Sequence, residues 1–268
     1  MPAIQPARLK KHVSVLASKF EQPSLFVREL HALLHRYSDY THRAGQAGEP
    51  SPLISSYNTP PPVMRQIWLA LTPLVKSCPS DVLPLCDTLW AEPNYDLQLL
   101  AARLLGQVSL DPPGPVIDRL QSWIRQGLDR RVLDGLLQNG LVRLQRDAPQ
   151  LVMSLISTWL GSTDPTCQQA GLRALLATIN GLSSEHMPAI FRMLTPYIRI
   201  APAHLRPDIL AALSALIQHS PSETAFLLRQ NLSAPDNPDT AWLIRQVLDE
   251  FPPETTVGLK SAMKVEAR

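Results

Sequence analysis

The sequence predicts an all-α chain built as a solenoid of repeated helix pairs. Three observations carry this. Glycine is scarce and proline abundant, 11 against 26 in 268 residues. No strict alternation of β-branched and polar residues persists anywhere, which argues against sandwiches, barrels and Gly-rich nucleotide folds. Apolar residues instead recur with helical spacing, and the helix-start signals return at a regular interval. With 45% hydrophobic and 18% charged residues, the chain can bury a full core as one large or two small domains.

Residues 1–40 read as an N-terminal helical region. Its first 20 residues carry Arg8, Lys10, Lys11 and Lys19 with one acid-free stretch up to Phe20. They read as a basic first helix, the alternative being an organellar presequence; they lack the apolar core and small-residue cleavage site of a secretory signal. Residues 41–62, with Gly45, Gly48, Pro50, Pro52 and Pro60 to Pro62, read as a long connection, either a loop or a domain joint.

Residues 63–252 form the array. Ser109-Leu-Asp-Pro-Pro113, Asp164-Pro165, Ser220-Pro221 and Asn237-Pro238 each place a capping-type side chain before a proline, the residue whose missing N–H costs nothing in a first helical turn. Leu97, Leu100, Ala101, Leu104, Leu105 and Val108 follow i, i+3, i+4, i+7, i+8, i+11. Similar stripes begin near 95, 130, 165, 203 and 238, a period of about 35–38 residues that matches a helix–turn–helix unit. Partner helices are predicted at roughly 81–91, 114–127, 147–160, 184–197 and 221–232. One pair cannot bury its own stripe, so stacking must create the core. The tail, 253–268, has little apolar content and reads as a weakly ordered end.

Lys plus Arg total 25 against 23 Asp plus Glu, so net charge gives almost no push toward nucleic acid and only local charge matters. No apolar run reaches the roughly 18–20 residues of a membrane span. Cys78, Cys86 and Cys167 form no C-x-x-C pair, so neither a disulfide framework nor a zinc cluster is expected, and a cytoplasmic setting fits. His31 and His35 have i, i+4 spacing, but only His42 offers a third ligand, so no metal and no cofactor are expected. The nucleophile-elbow, P-loop and H-E-x-x-H signatures are absent. The five tryptophans, Trp68, Trp90, Trp123, Trp159 and Trp242, sit mostly near helix ends on apolar stripes and read as core.

Tyr57-Asn-Thr-Pro60, then Val63-Met-Arg-Gln-Ile67, Leu89-Trp90, and Asn94-Tyr-Asp-Leu-Gln-Leu-Leu-Ala-Ala-Arg103 together resemble the AlkD-type DNA-alkylation-repair proteins. That family opens with Tyr-Gly-Val-x-x-Pro-x-Leu-Arg, followed by a helix ending in Leu-Trp and one with an acidic start. The resemblance spans roughly residues 55–180. It implies a HEAT-like α-α superhelix, right-handed, whose basic cleft holds duplex DNA by its backbone while an N-alkylated base is excised with the help of an Asp. The family's Trp-Asp-x-x-Asp aligns with Arg130-Arg-Val-Leu-Asp134, so the resemblance makes Asp134 the candidate catalytic acid and sets Arg130 where the tryptophan stands. Its Trp-x-Arg-Arg-x-Ala aligns with Thr166-Cys-Gln-Gln-Ala-Gly171, so Gln168 and Gln169 replace two arginines, with Arg173 one turn beyond.

Asp134 keeps two readings: a catalytic acid, or an intrahelical partner of Arg130 or Arg131 worth a few tenths of a kcal/mol. Arg103, Arg130, Arg131 and Arg173 fall on the second helices of three successive pairs and, with Gln168 and Gln169, form the candidate nucleic-acid stripe, unless they are ordinary solvated positions balanced by Asp96, Asp129 and Asp134. Two functions follow. One is a monomeric binder of duplex DNA linked to repair of alkylated bases, with excision in doubt because the Trp and Arg positions differ. The other is a scaffold holding a protein partner, the general use of curved solenoids.

Overall fold

The computed structural model describes residues 5–38, 54–125, 127–179 and 186–266. Among the described residues the regular elements are all helices, joined by turns and short connections, with one isolated bridge between Ser55 and Asn94. The chain divides into two compact units, Met1–Pro149 and Gln150–Arg268.

The first unit holds α1 (Pro6–Ala17), α2 (Pro23–Tyr37), α3 (Pro61–Ser77), α4 (Pro79–Ala91), α5 (Tyr95–Leu105), α6 (Gly114–Trp123), α7 (Arg130–Gly140) and α8 (Val142–Asp147). Several helices pack both on a neighbour in sequence and on the helix two further along, the pattern of a repeat array: α1 on α2 and α3, α2 on α4, α5 on α4 and α7. The even-numbered row continues to α6 through stacked indoles, Trp90 over Trp123 with centroids 4.3 Å apart and planes 6° from parallel. Arg119 of α6 reinforces it by forking onto both carboxylate oxygens of Asp87 on α4, at 2.9 and 2.6 Å.

The helix α5 starts where predicted because Asn94 caps it, accepting from the Asp96 and Leu97 N–H groups. Its second residue, Asp96, is buried and accepts from Ser56 Oγ at 2.9 Å and from the Tyr57 N–H at 2.7 Å. That carboxylate therefore fastens residues 55–57 to the head of α5. Asn58 next to it has φ +49, a left-handed conformation Asn tolerates, at the position where the resembling motif carries glycine.

The contact between α5 and α7 is unusually close, and glycine is the reason. A Cβ on Gly106 would lie 1.9 Å from the Asn139 carbonyl oxygen, and one on Gly135 2.9 Å from Leu99 Cδ1.

The second unit contains α9 (Pro149–Leu160), α10 (Pro165–Ile179), α11 (Met187–Arg199), α12 (Arg206–His219), α13 (Pro221–Leu232), α14 (Thr240–Val247) and α15 (Pro253–Glu266). It shows the same two-apart packing: α10 on α12, α11 on α13, α12 on α14, α13 on α15. Buried polar groups stitch the helix ends, such as Tyr197 Oη donating to the Leu160 carbonyl at 2.5 Å and Thr240 Oγ1 to that of Ile198 at 3.0 Å.

Three expectations need correction. The tail is not a weakly ordered end: α15 covers Pro253–Glu266 and buries Leu259 against the body. One anchored leucine holds a helix whose composition gives little stripe to read. The connection expected over 41–62 ends earlier, since Pro61 and Pro62 already form the first turn of α3; residues 39–53 lie outside the described residues. Asn237 does not start a helix either. Its amide nitrogen donates to the carbonyls of Asn231, Leu232 and Ala234, closing the end of α13, and α14 begins at Thr240.

Between α1 and α2, Arg36 Nη1 lies 2.8 Å from His12 Nε2, and Tyr37 Oη 3.2 Å from His12 Nδ1. Guanidinium only donates, so Nε2 accepts and Nδ1 carries the proton. Burial first, then Arg36, Arg8 and Lys11, hold this imidazole below the ordinary histidine value of 6.5. The unfolded chain thus binds the proton more readily, and stability falls as pH drops below about 6.5.

Gly106→Ala should destabilise the protein by about 3 kcal/mol in urea unfolding, the upper end for overpacking, whereas Gly258→Ala, whose Cβ meets only Arg229 Nη1 at 3.7 Å, should stabilise it by about 0.5 kcal/mol. His12→Gln should flatten the fall in stability as pH drops below about 6.5, read as Tm against pH.

Candidate nucleic-acid interface

An open cleft of about 670 Å³ lies between α3 on one side and the α5–α7 pair on the other, lined by Met64, Arg65, Trp68, Arg103, Gln107 and Asn139, with Pro61, Pro62 and Val142 at its edges. The sequence positions each group simply. On α3, Val63, Ile67, Leu71 and Val75 form the buried stripe, so Met64 and Trp68, one residue on, and Arg65, two on, fall beside it and face outward. On α5, Leu100, Ala101, Leu104 and Leu105 are buried, which leaves Arg103 at the margin.

Among the described residues Arg65 and Arg103 are not held by acids: neither has an ion pair, whereas Arg119, Arg143, Arg146 and Arg206 each reach a carboxylate oxygen within 3.1 Å. No described residue lining the cleft is acidic. A second trough of about 720 Å³ adjoins it, sharing Pro62 and Arg65 and reaching Lys10 of α1 and Leu69 of α3.

The charge of the first unit is divided between its rows. Helices α1, α3, α5 and α7 carry eight lysines and arginines against two acids, and one of those acids, Asp96, is buried beneath Ser56 and Tyr57. Helices α2, α4 and α6 carry three arginines against four acids.

The residues singled out in the sequence are placed as follows. Arg103 lines the cleft. Arg130 and Arg131 are exposed at the start of α7, Arg131 lying 5.1 Å from the centroid of the Tyr95 ring and 3.8 Å from the capping Asp129. Asp134 is half-buried one turn further along α7 and is not among the described residues that line the cleft.

Gln168, Gln169 and Arg173 lie in the second unit and serve its packing. Gln168 Nε2 donates to the Ser162 carbonyl at 2.8 Å, and Gln169 Nε2 donates to Asp208 Oδ2 at 2.9 Å. Arg173 is 6% exposed and pairs with the equally buried Asp208 at 2.8 Å, so the expectation of a solvent-facing phosphate fork at Arg173 is corrected. Asp208 stands in the first turn of α12 packed against α10, and a buried carboxylate there requires a buried counter-charge.

Two tryptophans depart from the core expectation. Trp90, Trp123 and Trp159 are buried, but Trp68 is half-exposed in the cleft and Trp242 is half-exposed beneath the Arg206 guanidinium, 4.7 Å from its ring centroid. His31 makes different bonds from those of a metal ligand: its Nδ1 lies 2.7 Å from Tyr57 Oη and its Nε2 3.2 Å from Glu92. Arg65, Trp68, Gln107 and Asn139 were not read as a site from the sequence. The available signal was the one arginine of the acid-free α3, whose other cation, Lys76, lies in its last turn.

Arg173→Met should leave Asp208 buried without its counter-charge and cost about 3–5 kcal/mol of stability. Adding Asp208→Leu should recover most of that loss, as measured by denaturant unfolding of both variants.

No described helix is long and apolar enough to cross a membrane. Comparison with curated proteins finds no match. The family model described as DNA alkylation repair enzyme matches residues 55–220, the stretch that runs from the Ser55–Tyr57 anchor through the cleft-bearing helices to the end of α12. With more than half of its length so matched, and an all-α helical-repeat fold, the chain belongs to the DNA alkylation repair enzyme family, and its role is a DNA-repair-related one.

Proposed function

We propose that this protein binds duplex DNA along the α1, α3, α5 and α7 row of its first unit, and that it recognises DNA rather than excising a base. The observation that carries this reading is the pair Arg65 and Arg103, two cations without an ion pair among the described residues, facing an open cleft whose described lining has no acid. Cations held in this way are available to phosphates, and each phosphate neutralised releases condensed counterions. The division of charge between the two rows supports the same face, with Lys10, Arg130 and Arg131 extending it.

Excision is left out because the described lining offers no carboxylate near a bound sugar. In the resembling proteins that chemistry belongs to an Asp, matched here by Asp134. Electrostatic catalysis by such an acid needs a desolvated, pre-positioned site. A second reading, a scaffold for a protein partner, is favoured by one observation: Leu69, 55% exposed, sits among Pro6, Ala7, Leu9 and Pro62 in the second trough.

The test is fluorescence anisotropy with a short duplex, with and without an abasic-site analogue, across a salt series. The wild type should bind with a steep salt slope, and Arg65→Ala with Arg103→Ala should lower that slope by about two without lowering Tm. Release of methylated bases from the same duplexes should be undetectable; release that Asp134→Asn abolishes would overturn the second half of the reading. Absence of binding at low salt would leave the scaffold.

A further inference from the structure

The cleft is richer than a phosphate track needs to be. Beside Arg65 and Arg103 it holds an indole, Trp68, and two carboxamides, Gln107 and Asn139. A surface that only follows a DNA backbone needs cations and small donors. An aromatic face set among cations is instead the composition of a site that stacks an unpaired base while holding its phosphate.

The surroundings of Trp68 point the same way. Trp90 and Trp123 stack on each other and Trp242 lies under Arg206, but no described ring or guanidinium stacks on Trp68, which is half-exposed in the open cleft. Across from it, Asn139 Nδ2 donates to the Gly135 carbonyl at 2.7 Å. A carbonyl only accepts, so the nitrogen is the atom fixed there and Oδ1 keeps its capacity to accept from a ligand N–H. The exocyclic amino group or ring N–H of a base presents such a donor once the base is unpaired.

We propose that the α3/α5–α7 cleft is a site for an unpaired nucleobase, with Trp68 as its stacking face, Asn139 Oδ1 as an acceptor for a base N–H, and Arg65 and Arg103 on the adjoining phosphates. This rests on the reading of the same face as a DNA-binding surface. It implies that the preferred ligand is a duplex interrupted by unpaired nucleotides rather than a continuous one.

The experiment compares the full chain with two duplexes of one sequence, one continuous and one carrying a short central single-stranded gap, by anisotropy at fixed salt. The wild type should bind the gapped duplex more tightly. Trp68→Ala should lose that preference, a drop of at least about five-fold on the gapped duplex that exceeds any drop on the continuous one. Trp68→Phe, which keeps an aromatic face, should retain part of it, and tryptophan emission quenched by the gapped duplex in the wild type should change little in Trp68→Phe. Equal affinity of the wild type for both duplexes overturns the base site while leaving duplex binding in place. So does a preference that survives Trp68→Ala, or a loss equal on both ligands. Binding to neither duplex overturns the proposed function itself.

Discussion

The approach of α5 to α7 is the constraint on which the first unit turns. A helix pair of this kind cannot bury its own apolar stripe, so it must find another helix, and here the two backbones come close enough that the Asn139 carbonyl occupies the space where Gly106 would carry a Cβ. That closeness sets Arg103 and Gln107 of one helix beside Asn139 of the next and makes one wall of the cleft. The other wall, α3, is reached through the chain ahead of α5. Asp96 holds Ser56 and Tyr57, and Tyr57 in turn meets His31, which reaches Glu92. The cleft is therefore framed by two different devices, a steric one between α5 and α7 and a polar one beneath residues 55–57.

The second unit uses its polar residues differently. Gln169 and Arg173 converge on Asp208, two helices on, and the pair is buried rather than presented. A buried ion pair adds little net stability over an apolar pair of the same shape, but it fixes which helix face meets which, because any slip strands a charge. In the first unit the notable arginines lie at the margin of buried stripes; in the second the notable arginine has been drawn inside.

Much of the fold could be read from the residues. Helices α5, α7 and α10 begin at the predicted positions because an apolar stripe of helical spacing starts there, joined at α10 by the Asp164-Pro165 signal; the structure adds the caps Asn94 and Asp129 at α5 and α7. Helix α15 escaped because one buried leucine suffices to hold it and no stripe advertises it. The site was less legible. Arg103 stood out as a cation on a strong helix, but spacing says nothing of a partner: Asp208 lies 35 residues beyond Arg173 and only packing brings them together. Trp68 looked like core because an aromatic residue near a stripe usually is core; its position one step off the Val63, Ile67, Leu71 line makes it a wall instead.

The unequal rows of the first unit have a consequence beyond contact. With one row rich in lysine and arginine and the other slightly acidic, a chain whose formal net charge is only +2 carries a sizeable internal dipole across that unit. Such a dipole turns the molecule as it nears an anion, before any side chain touches. In the proposed DNA complex, much of the salt sensitivity of association would belong to the encounter rate, and the lifetime would be set by the shorter-range contacts made once the basic row has arrived.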